Sequence, residues 1–136
     1  MLYCLEEIKK MPIHLYYDKK KEILNCSIDQ SFSFEELESK LYTITHSAEY
    51  LPDVKTLWNI ERLDLKEINE DFMNRLISIR IKFPQRRNAK LAIIIPSDLG
   101  FGLSRMYEAF SEIQGMPQSI HVFRNHADAE KWLLSE

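Results

Sequence analysis

Glycine is scarce in this chain: three residues in 136, two of them, Gly100 and Gly102, in one short stretch. No phosphate-loop motif occurs, and no low-complexity segment interrupts the sequence. Cysteine is scarcer still. Cys4 and Cys26 have no metal-ligand spacing and, with no sign of export, read as reduced thiols. Long apolar runs are missing as well. The longest is far short of the about 20 residues that cross a bilayer, and the first ten, "MLYCLEEIKK", lack the basic and apolar regions of a secretory signal. These absences point to a cytoplasmic protein. An excess of positive charge is also lacking. The formal net charge is −3, which disfavours a nucleic-acid partner.

The signatures of catalysis and metal binding are absent too. There is no His-Glu-x-x-His, no cysteine pair for zinc, no calcium loop and no Gly-x-Ser-x-Gly elbow. The four histidines, His14, His46, His121 and His126, never fall four apart and read as polar, solvated side chains. No enzyme activity, metal or cofactor is expected.

What is present suits one globular domain over 1–136. Apolar residues make up 45% and charged residues 29%, the balance of a chain with one core. "PIHLYYD" (12–18) and "EILNCSI" (22–28) alternate with a strand's period and read as a β-hairpin turning at "KKK". "FSFEELESKLYTIT" starts a helix, with Ser33 and Glu36 as a capping box, Phe32 and Leu37 as a staple, and Phe34, Leu37, Leu41 and Ile44 as its buried stripe. "VKTLWNI" (54–60) is a third strand. A second helix is signalled by Asp64 with Glu67 and by Leu63 with Ile68; its stripe is Ile68, Phe72, Leu76, Ile79 and Phe83, and Pro84 ends it. "AKLAIIIP" is apolar on both faces and predicts an interior strand covered from both sides. A third helix over about 100–113 would bury Leu103, Met106, Tyr107, Phe110 and Ile113, and "GMP" stops it. "SIHVF" is the fifth strand. Asn125 caps a fourth helix with Ala129, Trp132 and Leu133 inward. The order β-β-α-β-α-β-α-β-α predicts an α/β fold: a five-stranded, mostly parallel sheet with an N-terminal hairpin and about four helices. Residues 1–10 read either as a flexible lead or as an arm packing on a partner chain.

Three stretches are candidates for function. In "PSDLGFGLSRMYEAF" (96–110), Ser97, Asp98, Gly100, Gly102 and Arg105 are candidate ligand residues. They fall after a strand's carboxyl end, where α/β sheets bind ligands, and at a helix start, which favours an anion. The competing reading is a capped joint, with Asp98 as the N-cap and the glycines serving tight packing; it weighs more. The basic run "RIKFPQRRNAK" offers Arg80, Arg86 and Arg87 to an anionic surface or an acidic partner, or else is a solvated helix end complementing the dipole. Tyr42 and Tyr50, with Leu51, fit the core pattern poorly. They would rim an apolar groove or a dimer contact, with a core role equally open.

"KLAIIIPSDLGFGLSRMYEAF" followed by "IHVFRNHADAEKWL" resembles a group of small bacterial stand-alone proteins with a STAS-like domain, named for sulphate transporters and anti-sigma factor antagonists. The marks of the resemblance are an apolar strand, a glycine-rich helix start with an Arg-Met-Tyr step, a strand ending Val-Phe-Arg and a helix ending Ala-x-x-Trp-Leu. In order of elements the likeness covers about residues 11–134, with specific residues only in the C-terminal part. It implies a STAS-like fold and a non-catalytic binding or regulatory module acting through protein contact, with an unknown partner or a second copy as a homodimer. The turn where antagonists carry a phosphorylatable Ser reads "NIERLDLKEIN" (59–69), with no Ser or Thr, so that switch has no acceptor here. Two alternatives remain: a carrier of a small apolar or lipid-like ligand, since STAS-like proteins are similar in layout to CRAL-TRIO lipid-transfer domains, and anion or nucleotide binding at 96–105.

Overall fold

Strands β1 (Ile13–Asp18) and β2 (Ile23–Ile28) pair antiparallel, with Ile13 opposite Ile28 and Asp18 opposite Ile23. The computed structural model describes residues 12–135; the lead or arm read in residues 1–10 lies outside them. The hairpin closes through Glu22, at φ 55 the one non-glycine residue with positive φ among the described residues. Three further strands follow, β3 (Lys55–Asn59), β4 (Lys90–Ile94) and β5 (Ser119–Phe123), separated by α1 (Phe34–Thr45), α2 (Glu70–Ile81) and α3 (Asp98–Ile113). Helix α4 (His126–Leu134) comes last. The order and type of elements are those the alternating periods predict.

The sheet order is β1-β2-β3-β4-β5, and β2 to β5 are parallel. Each crossover therefore steps one strand in the same direction, and crossovers of one hand place their helices on one face. The packing agrees. Leu24, Cys26, Ile28 and Trp58 meet Leu37, Leu41 and Ile44 of α1 and Ile79 of α2. Ile93, Ile95, Ile120 and Val122 meet Phe101 and Tyr107 of α3. The opposite face carries Ile23, Leu57, Ala92 and Ile94 under Ala129 and Leu133 of α4. Interior β4 is apolar on both faces because both are covered.

Helix starts follow the capping chemistry, with one displacement. Ser33 Oγ accepts from the Glu36 N–H at 3.1 Å and donates to Glu36 Oε1. Asn125 Oδ1 accepts from the Asp128 N–H at 2.9 Å. The second helix, however, does not begin at Asp64. Asp64 Oδ1 accepts from the Lys66 N–H, two residues on, which makes a local turn. The cap is Asn69, whose Oδ1 accepts from the Phe72 N–H at 2.9 Å. Residues 60–69 are thus a loop, and its Ile60, Leu63 and Leu65 pack inward.

Helix α3 departs further from its predicted stripe. Its buried positions are Gly100, Ser104 and Ser111, while Met106 is 60% and Ile113 80% exposed. Small residues face the sheet because the helix lies close to it: a Cβ at Gly100 would stand 2.1 Å from Ile95 Cδ1. Of the predicted stripe, Tyr107 still packs on the sheet, while Met106 and Ile113 are turned to the surface. Gly115, at φ +75, ends the helix, with the Met116 N–H bonded to the Ser111 carbonyl.

Candidate binding cavity

The sheet has one point where neighbouring parallel strands send their chains to opposite faces. β4 leads to α3 and β5 to α4, so the crevice favoured for ligands lies between their carboxyl ends. Ser97, Asp98 and Gly100 sit there, but the chain's own groups bond one another across it. Arg124, not anticipated from the sequence, donates to Asp98 Oδ1 at 2.8 Å and to the Pro96 carbonyl at 3.1 Å. Its guanidinium stacks 4.3 Å from the Phe101 ring centre. The N-cap is Ser97, whose Oγ accepts from the Gly100 N–H at 3.1 Å. Asp98 is one residue inside the helix with a side chain 96% exposed. This corrects its assignment as the cap: a helix N-cap must have extended backbone, and Ser97 has φ −69, ψ 145. Gly100 is a packing glycine, whereas a Cβ added at Gly102 would meet no atom outside its own helix backbone within 4 Å. Arg105 is exposed and lies 4.0 Å from Glu108. The five residues are neighbours, but they form a capped, ion-paired joint.

The basic run divides in two. Arg87 is exposed. Arg80 and Arg86 are buried, at 9% and 3% exposure, which overturns their reading as surface cations. Arg86 fastens the loop before β3. It donates to the Pro52 carbonyl at 2.8 Å, the Val54 carbonyl at 3.4 Å and Thr56 Oγ1 at 3.4 Å. Burial lowers its pKa, as does nearby Arg80. Tyr42 is exposed and stacks on His46, ring centres 4.1 Å apart. Tyr50 is half-buried against Tyr17 at 4.8 Å and belongs to the core rather than to a groove; burial raises its hydroxyl pKa.

An apolar cavity lies elsewhere, between the sheet and the helices that cover it, and is partly open. A cavity of about 130 Å³ has Trp58, Leu91, Ile93 and Ile120 as its floor. Phe72, Met73, Leu76 and Arg80 of α2 and Leu103, Ser104 and Tyr107 of α3 close it over, and Leu63, Leu65 and Ile68 of the 60–69 loop form one end. The walls are almost wholly apolar. The exceptions are instructive, because the indole Nε1–H of Trp58 and the Nε–H of Arg80 are both buried without an acceptor among the described residues. Arg80 is held from its other side. Its Nη1 donates to Tyr107 Oη at 2.8 Å and Ser111 Oγ at 3.0 Å, and its Nη2 to Gln118 Oε1 at 2.9 Å. Because Arg80 falls on the stripe of Met73, Leu76 and Ile77, an arginine in a buried register was the one sequence signal for this site. The cavity itself had none, since its lining comes from segments far apart in the chain.

Among the described residues, no group of three or more His, Cys, Asp and Glu could hold a metal ion, and no helix is long and apolar enough to cross a membrane. Compared with family models, curated proteins and solved structures, the chain matches none.

Proposed function

We propose that this chain is a STAS-like binding domain that holds a small apolar molecule between its sheet and helices α1 to α3. The observation that carries the reading is the about 130 Å³ cavity with its apolar floor and walls. An engineered cavity of about 150 Å³ with similar walls stays dry and takes benzene. Scaled to that, the occupant is a single ring or a chain of about six heavy atoms. A long-chain lipid does not fit. The layout of the sheet, with three helices on one face and one on the other, supports the STAS-like assignment. Benzene titrated into the protein is expected to shift the methyl resonances of Ile93, Leu103 and Ile120 and to raise the melting temperature, and Ser104→Leu, which fills the space, is expected to abolish both effects. A wild-type protein whose methyls ignore benzene at millimolar concentration would sink the reading.

A second reading, protein contact, has its own observation. Leu99, Leu103, Met106, Phe110 and Ile113 recur on α3 at spacings of four and three, the seam of a paired helix. Leu99, Met106 and Ile113 are 65%, 60% and 80% exposed. The occupant this stripe fits is a second copy. Arg105 and Glu112, exposed and seven residues apart beside the stripe, are brought near their opposites by an antiparallel two-fold pairing. Light scattering is expected to give a dimer that Met106→Glu separates. A monomer at high micromolar concentration excludes the pairing.

A further inference from the structure

We infer that the occupant of the cavity is a small organic acid whose carboxylate is held by Arg80; the inference rests on the cavity being a ligand site. Of the three buried side-chain polar atoms without a hydrogen-bond partner among the described residues, the two on residues that line the cavity, Arg80 Nε and Trp58 Nε1, are donors; the third, Glu108 Oε2, is not on a lining residue. Arg80 lines it at 9% exposure, and its three bonds go to neutral acceptors, the Tyr107 hydroxyl, the Ser111 hydroxyl and the Gln118 amide oxygen. None of the ion pairs among the described residues includes it. Among the described residues, the Arg80 Nε–H and the Trp58 Nε1–H have no acceptor. By accepting from Arg80, the Tyr107 hydroxyl keeps its own proton to give. A second buried cation, Arg86, feels the charge of Arg80; Asp53 acts on it from a distance, but among the described residues it makes no ion pair.

Buried charges in proteins are paired, because desolvation is otherwise uncompensated. Here, among the described residues, the positive charge and the spare donors are in place and no carboxylate pairs with Arg80. A carboxylate supplies it in the least volume. Two of its oxygens lie flat against a guanidinium edge, which leaves most of the about 130 Å³ for a ring or a short chain reaching toward Leu63 and Ile68. The site is amphiphilic along its length: a cation at the last turn of α2, next to Gln118 before β5, and an apolar pocket at the 60–69 loop. An alcohol of the same shape fills the space but leaves the charge unmatched.

The test compares ligands of equal size and unequal charge on the wild-type protein. Benzoate against benzyl alcohol, and hexanoate against hexan-1-ol, are titrated at pH 7 by calorimetry and followed at the methyls of Ile93 and Ile120. Each acid is expected to bind at least tenfold more tightly than its alcohol, and the advantage to vanish as the solution is acidified below the ligand's own pKa. In Arg80→Gln the acid is expected to lose its advantage while the alcohol keeps its affinity. Should that variant not fold, the pH dependence on wild type decides the question alone. Equal affinities, or tighter alcohols, overturn the acid inference and leave the cavity reading standing. Binding of none of the four removes both.

Discussion

Gly100 and Gly102 lie two residues apart in the first turns of α3, yet replacing them by alanine should move stability in opposite directions. A glycine inside a helix costs about 1 kcal/mol relative to alanine, so alanine begins with that gain at both places. At Gly102 nothing stands within 4 Å of the new Cβ, and the gain should be kept, about 0.5–1 kcal/mol. At Gly100 the Cβ would meet Ile95 Cδ1 at 2.1 Å, Ile95 Cγ1 at 2.6 Å and Ser97 Oγ at 2.7 Å. Ile95 is fully buried; moving it is an overpacking cost of about 1–3 kcal/mol. Moving Ser97 breaks the cap of α3, about 1 kcal/mol more. The net expectation for Gly100→Ala is a loss of about 1–3 kcal/mol. Urea denaturation reads both variants, with midpoints displaced to either side of wild type and unchanged slopes. In a thermal melt each kcal/mol is about 3–5 °C for a domain of this size, so the two variants should melt about 10 °C apart. If Gly100→Ala proves as stable as Gly102→Ala, α3 is not seated on β4 by its missing side chain, and the account of why small residues face the sheet is wrong.

Three further expectations concern other parts of the fold. Asn69→Ala should cost about 1 kcal/mol because Asn69 caps α2, whereas Asp64→Ala, which loses only a local turn, should stay within about 0.5 kcal/mol in the same denaturation assay. Arg86→Ala strands the Pro52 and Val54 carbonyls and the Thr56 hydroxyl and should cost about 3 kcal/mol, while Arg87→Ala, one residue on and exposed, should be close to neutral; equal effects would contradict the buried placement of Arg86. Lys21, 2.6 Å away, holds the Glu130 carboxyl below the usual carboxylate range, with His126 adding to it. A depressed folded pKa contributes stability above the unfolded value of about 4.3 and loses it as pH falls through the folded value. Glu130→Gln should therefore melt below wild type at pH 7, with the difference shrinking as pH falls from the unfolded value through the depressed folded one.

The apolar periods and caps of the sequence determined a good deal. Alternation at 12–18 and 22–28, the double-sided run at 90–95 and the caps Ser33 and Asn125 fix which segments are strands and helices, because these patterns follow from backbone geometry within a few residues of each other. Their order then fixes a mostly parallel sheet, since parallel neighbours need crossovers. Local chemistry also misled where two caps competed: Asp64 and Asn69 both precede an apolar residue by the right interval, and only the packing of Leu63 and Leu65 against the core keeps the first as a loop.

Distances between segments far apart in the chain were decided by the tertiary structure alone. That α3 runs so close to β4 that glycine and serine face inward depends on the height of Ile95 above the sheet, which no helical period records. Arg80 and Arg86 read as surface charges because charge is ordinarily solvated; that they are buried follows from acceptors 27 to 38 and 30 to 34 residues away, at Tyr107, Ser111 and Gln118 and at Pro52, Val54 and Thr56. The cavity is the clearest case. A stripe of apolar residues states that a face is covered, and whether the facing helices meet tightly or leave room for a ligand is settled only when three layers are brought together in space.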